Sequence, residues 1–408
     1  MEEESLVTIE DKTLTMDALV DEALALGAHL GRPLRYVQIN SFYNGSTGSI
    51  MRLLHKGLSE GGVDSYIFWG RRHETINDRE QCCATKLGYL SHGVKTRLFD
   101  RMGFYSKGDT ARLLKRLDEI KPDVVHLHNI HGYYINVEML FEWLASQTCQ
   151  VRWTLHDCWA FTGHCAHFAY TKCAQWRSHC ALNKPCPQLN TYPKTVSKHS
   201  CVKNYEDKRR IFNMLPVDRM KLVSPSHWLE GLVRQSFLSK YPVEVRHNTI
   251  DATVFKPTPS DFREKYGIGN RFMILGVASP WTERKGLGDF MRLAKTLDDK
   301  KFAIVLVGLS EKQMKALPEG VLGLYRTESQ RDLAGIYSTA DILFNPTVED
   351  NFPTVNLEAE SCGTPVVTYN TGGCAETIGR IALSKVVSSE EEALSSIEAI
   401  RGLNLGCH

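Results

Sequence analysis

Between Asn345 and Thr377 the chain packs two carboxylates eight positions apart, Asp350 and Glu358, with a Phe352-Pro353 turn between them and a closing Gly372-Gly373 pair. Ionised carboxylates are pure acceptors that grip neighbouring hydroxyls two at a time, which is what a sugar ring and a ribose diol both ask for. The turn, followed by a helix opening near Thr354, puts Asp350 in a loop and Glu358 inside the helix. Upstream, Arg284 and Lys285 precede Gly286. Two cations before a glycine turn can clamp a diphosphate, although a basic pair on a loop is otherwise solvated surface. Asn44-Gly45-Ser46-Thr47-Gly48 follows an apolar strand and opens a helix, so backbone N–H groups and the positive helix end face outward and favour an anion. The alternative is a tight turn that uses glycine for its positive φ. The segment is not GxGxxG and no Walker lysine follows, which argues against dehydrogenase and nucleotide-triphosphatase chemistry.

These groups need elements to hold them. With 408 residues, the chain exceeds what one core usually supports, and two domains are expected. A net charge of +2 gives no nucleic-acid footprint. No apolar run of about 18 residues occurs, and MEEESLVTIE lacks the basic-then-apolar layout of an export signal, so a cytoplasmic protein with at most peripheral membrane contact is expected. Residues 1–33 read as an extension with an accessory helix over 16–30. From 34 on, apolar strands alternate with helical stretches: 34–40, 63–69, 123–129 and 151–157 in a first set, and 272–279, 302–308, 341–346 and 364–370 in a second. This is βαβ grammar and implies parallel sheets. Two doubly wound α/β domains, 34–250 and 251–408, are expected to face each other across a cleft, joined through a proline-bearing linker over 248–261.

Over residues 34–400 the chain resembles glycosyltransferase family 4, the retaining enzymes of the GT-B fold. The resemblance rests on NGSTG at 44–48, DVVHLH at 123–128, WTLHD at 153–157, VSPSHW at 223–228, HNTID at 247–251, WTERKG at 281–286, YSTADILFNPT at 337–347, and the D-x7-E block running into EAESCGTPVV and GGCAE. HDCWAFTGHC and the cysteines after it are most similar to the branch that builds colanic acid, capsular and exopolysaccharide repeats. The resemblance implies transfer of a sugar from a UDP- or GDP-sugar to a hydroxyl of a saccharide or lipid-linked oligosaccharide, with no metal required for catalysis. It also implies site residues. Lys285, supported by Arg284, meets the diphosphate; Glu358 meets the ribose and Asp350 the donor sugar, with Asn351 and Phe352 alongside. Gly45 and Gly48 let the backbone approach the donor or acceptor, His156 faces the reacting centre, and His128 and Trp159 serve the acceptor. An epimerase, a phosphorylase or a binding protein without turnover would share the fold. Departures from the family pattern are Asp350 where Glu is usual, with Glu349 as the competing acid, Pro280 in place of an arginine, Thr249 in place of a glycine, and a second domain with no segment left for the family's final crossover helix.

A cysteine-rich insertion spans 158–190. Cys165, Cys173, Cys180 and Cys186 suggest a structural zinc site, though without CxxC knuckles; free thiols are the first alternative, with disulfides or an iron–sulfur cluster behind. Trp159, Phe161 and Phe168 either line an acceptor pocket or form the insertion's own small core.

Overall fold

The computed structural model describes residues 14–15, 18–71 and 73–405. They form two all-parallel sheets. The first contains β1 (Leu14–Thr15), β2 (Arg35–Phe42), β3 (Asp64–Arg71), β4 (Glu80–Cys82), β5 (Val124–Leu127), β6 (Gln150–Thr154), β7 (Met220–Ser224) and β8 (Val243–His247), in the order β1-β8-β7-β6-β5-β2-β3-β4. The second contains β9 (Phe272–Val277), β10 (Phe302–Val307), β11 (Val321–Leu324), β12 (Ile342–Asn345), β13 (Val366–Tyr369) and β14 (Lys385–Val387), ordered β11-β10-β9-β12-β13-β14. The inner strands β5, β10 and β12 are buried at every position. Helices cover both faces of such sheets, so these strands read as continuous apolar runs rather than alternating ones.

Eight strands lie where the sequence places them. β7 and β8 complete the first sheet from segments seen only as motif fragments, and β4, β11 and β14 are edge strands of three or four residues.

The N-terminal extension is part of the first domain rather than an appendage. Met16 and Asp17, where the helix was expected to begin, lie outside the described residues, and the helix runs from Ala18 to Leu30. Its Leu19 and Ala23 are buried in one cluster with Leu34, Tyr36, Ile50, Leu54 and Leu58, and β1 extends the sheet by pairing with β8. Glu22 ties the same helix to Arg152 at 2.5 Å and to the buried Arg246.

From β8 the chain leads to the second core, which Phe255 and Phe262 join beside Met273, Leu275 and Tyr337. The last described helix, Glu390–Leu405, packs Ala393, Ile397 and Ile400 onto the core of its own domain.

Leu19 is 1% exposed. Replacing it with alanine should lower the first domain's resistance to denaturant by about 2–4 kcal/mol, the usual cost of truncating a buried leucine. A loss below about 0.5 kcal/mol would mean that the extension is not part of that core.

Candidate active site

Strand order sets where each crevice opens. The chain leaves β2 for β3 on one side and later returns to β5 on the other; in the second sheet β9 leads to β10, and β12 is added on the opposite flank. At such a reversal the loops at the carboxyl ends diverge and leave room for a ligand. The NGSTG loop follows β2 and Asn129 follows β5, while the Arg284-Lys285 turn follows β9 and Val348–Phe352 follow β12. His156 comes just after β6, adjoining β5.

In the first domain, helix Ser46–Glu60 begins after Gly45, whose φ is +87°. Nothing lies within 4 Å of the position a side chain would take there, so conformation rather than space selects glycine. Gly48 is the opposite case. A Cβ there would sit 2.2 Å from the Tyr43 carbonyl oxygen, so its lack of a side chain admits the chain's own backbone rather than a substrate.

His156 ends a relay. Gln38 Nε2 donates to the Met51 carbonyl at 3.2 Å, which leaves Gln38 Oε1 to accept from His128 Nε2 at 3.1 Å. His128 Nδ1 is then the acceptor for His156 Nε2 at 3.0 Å, and His156 Nδ1 is left as an acceptor. Burial pushes the His156 pKa down to about 4, so the ring is neutral and suited to accept a hydrogen bond from a hydroxyl. His128 is 1% exposed with both nitrogens engaged. It therefore orients His156 and cannot contact an acceptor as expected. Trp159 is also displaced from that role: it is 2% exposed, packed on His131 and Phe212, with the buried Lys208 ammonium 3.9 Å from its ring centre. Sequence reasoning missed Asp157 and His131, which pair at 2.9 Å beside His156.

In the second domain, two loops are fastened to each other. Val348 N–H donates to the Arg284 carbonyl at 2.9 Å, and the Arg284 guanidinium donates to the Glu349 carbonyl. Lys285 pairs with Asp350. Against a cost from burial, the nearby charges of Lys285 and Arg284 hold the Asp350 carboxyl down at about 2. Gly372 and Gly373 pack directly on this loop: side chains there would fall 1.9 Å from the Asp350 carbonyl oxygen and 2.0 Å from that of Asn351. Glu358 sits in helix Thr354–Ser361, where Tyr337 Oη donates to one carboxylate oxygen at 3.0 Å. Burial raises its pKa.

The acids at 349 and 350 have opposite fates. Glu349 is fully buried and accepts N–H groups of Phe168 and Tyr170 from the first domain, each at 3.1 Å. Asp350 is therefore the acid of the crevice. Asn351 and Phe352, expected at the donor, are instead spent on the first domain: Asn351 accepts from Ser226 Oγ at 2.6 Å and donates to the Leu155 carbonyl at 3.2 Å, while Phe352 stacks on His247 with ring centres 4.6 Å apart. His167, from the insertion, lies 3.7 Å from Glu349 and helps hold down the pKa of both Asp157 and Asp350.

Phe161, Phe168 and Trp176 pack with tilted rings as the insertion's own aromatic core, not an acceptor pocket. The cysteines are rearranged from expectation. Cys201, outside the insertion, joins the buried Cys165 and Cys180 and the partly buried Cys186 in a row, with Cys186 hydrogen-bonded to Cys165 and Cys201, and Cys201 to Cys180; its bonds to Cys165 and Cys201 hold the Cys186 thiol well below its ordinary range. Cys173 lines the same pocket from a more exposed position and takes no part in these bonds. Among the described residues no three of these sulfurs lie within 4.8 Å of one another.

Residues 270–403 match the family model described as glycosyl transferases group 1. The second domain is a group 1 glycosyltransferase domain. Over 364 residues the chain is 27% identical to a protein of Escherichia coli (strain K12) named, provisionally, as the colanic acid biosynthesis glycosyl transferase WcaC, with 85% of this chain and 84% of the relative covered. Sucrose-phosphate synthase from Thermosynechococcus elongatus superposes with a TM-score of 0.65 at 15% identity over 90% of both chains. Anabaena Alr3699/HepE in complex with UDP-glucose superposes with a TM-score of 0.53 at 14% identity over 91% of both. At such identities these structures show the shared two-domain GT-B fold. Arg284, Lys285, Asp350 and Glu358 all lie in the group 1 glycosyltransferase domain; His156 is supplied by its partner domain. No described helix is long and apolar enough to cross a membrane.

Glu349→Ala should leave the buried Phe168 N–H unpaired, at a cost of about 1–3 kcal/mol, and release the part-buried Tyr170 N–H, so hydrogen exchange at both should accelerate. Unchanged protection there would show that the contact does not hold the domains. His156 should titrate near pH 4 by histidine NMR, and a midpoint above 6 would contradict its burial. Its folded pKa lies below the ordinary ~6.5, so the neutral ring's contribution to stability is complete above that pH and is lost as pH falls toward 4.

Proposed function

We propose that this glycosyltransferase is a retaining enzyme that moves a sugar from a UDP- or GDP-sugar to a hydroxyl of a growing cell-surface saccharide or lipid-linked oligosaccharide, at the cytoplasmic face of the membrane. The observation that carries the reading is the Lys285–Asp350 pair at the β9/β12 crevice, on the domain wall that meets the loop after β6 bearing His156. Polysaccharide assembly is favoured by the likeness to the E. coli protein, which spans most of both chains.

Lys285 and Asp350 satisfy each other's charge. An arriving diphosphate competes for the Lys285 ammonium, and the Asp350 carboxylate is released to accept hydroxyls of the donor sugar. Arg284, held against the Glu349 carbonyl, keeps a second positive charge beside the phosphates. Glu358 has one oxygen oriented by Tyr337 and offers the other to the ribose diol. His156 accepts from a hydroxyl of the transferred sugar through Nδ1.

The acceptor attacks the anomeric carbon from the face that the diphosphate leaves. The bond from that carbon to the phosphate oxygen breaks, the bond to the acceptor oxygen forms, and the hydroxyl proton passes to the departing phosphate. Fixed cations stabilise the negative charge that develops there, and no step in this scheme requires a metal ion.

Lys285→Ala should lower turnover by about 100-fold or more, the scale of losing a charge aimed at the leaving group. Glu358→Ala should abolish calorimetric binding of the nucleoside diphosphate while leaving the fold intact by circular dichroism. A panel of uridine, guanosine and adenosine diphosphate sugars provides the wider test. Binding without transfer to any lipid-linked acceptor would support a non-catalytic protein, and binding of none would overturn the reading.

A further inference from the structure

The domain interface holds a second cluster of ligating side chains, away from the crevice. Glu376 lies in the turn after Gly373, His227 opens the helix His227–Val233 of the first domain, and His247 ends β8. One ligand atom from each lies within 4.8 Å of the other two, and among the described residues this is the group so gathered.

We propose that His227, His247 and Glu376 form a binding site for a zinc-class divalent cation that joins the two domains. Ligand atoms around tetrahedral zinc, with bonds of about 2.0–2.1 Å, stand about 3.3 Å apart. His247 Nε2 is already 3.4 Å from Glu376 Oε2. That nitrogen is buried and, at this separation, makes no well-aligned hydrogen bond to the carboxylate. Burying a polar atom unpaired is costly, and a cation between the two would remove the cost.

The other ligands are available too. Glu376 accepts His227 N–H at 2.7 Å and Trp228 N–H at 3.0 Å, which uses two of about four lone-pair sites on a carboxylate. His227 is half exposed, giving an entry path and room for water as the fourth ligand. Glu230, 3.3 Å from His227 Nδ1, is placed to orient that ring as carboxylates commonly do behind metal-bound histidines. Two imidazoles and one carboxylate suit zinc or cobalt rather than calcium or magnesium.

The site would tie Glu376 and its turn to the first domain. Phe352, stacked on His247, and Gly373, whose Cβ would fall 2.7 Å from that of Ser226, belong to the same contact. A cation there clamps the domains beside the donor loop without touching a donor, so the inference stands apart from the proposed reaction.

The test is titration of the metal-stripped full chain with zinc by calorimetry and with cobalt by absorption, for the natural sequence and for His227→Ala, His247→Gln and Glu376→Gln. One zinc equivalent should weaken at least tenfold in each variant, and its cobalt form should lack thiolate charge-transfer bands. His227 is half exposed, so His227→Ala is not expected to disturb folding and keeps the test valid if another variant unfolds. Zinc binding unchanged in His227→Ala, cobalt bound only through thiolates, or no zinc bound at all would each overturn the proposal.

Discussion

A buried loop must find partners for its polar groups, and in this molecule the loop over 348–352 finds most of them on the other domain. Glu349 takes two N–H groups from the cysteine-rich insertion, and Asn351 bridges Ser226 and the Leu155 carbonyl. Only Asp350 is turned toward the crevice, where Lys285 neutralises it. The loop that carries Asp350 is thus also the fastening between the domains. Its geometry cannot change without either stranding buried groups or moving the two halves of the site relative to each other.

The surrounding structure serves that constraint. Gly372 and Gly373 let their turn lie against the loop at distances no side chain permits, and Gly286 does the same where a Cβ would fall 2.3 Å from the Pro346 carbonyl oxygen. Across the interface, the Gln38–His128–His156 relay fixes which nitrogen of His156 faces outward. Each half is rigid for its own reason. The first is held by fully buried hydrogen bonds inside a parallel sheet, the second by two loops bonded to each other at a reversal of strand order.

The sheet architecture was legible in the sequence because strands such as those at 302–307 and 342–345 are apolar on both faces and bounded by turns. The grouping of the second-domain candidates was legible because they are local: Arg284 and Lys285 share one turn, and Asp350 and Glu358 straddle one loop–helix junction. What was not legible depends on contacts far apart in the chain. Nothing in the pattern Val348-Glu349-Asp350-Asn351-Phe352 says which side chains face inward, since the partners of Glu349 lie some 180 residues earlier. Burial likewise took His128 and Trp159 out of acceptor contact, and Cys201 replaced Cys173 because the helix Ser200–Ile211 folds back under the insertion. The short edge strands were missed because three or four residues carry too little periodicity.

The central claim is that Lys285 and Asp350 satisfy each other in the empty site and exchange that contact for the donor. A double-mutant cycle with Lys285→Ala and Asp350→Ala, measured as stability with and without a saturating nucleoside diphosphate, tests it directly. The account predicts a favourable coupling in the empty protein that largely disappears once the diphosphate is bound. A coupling of the same size in both states would show that the diphosphate does not engage Lys285.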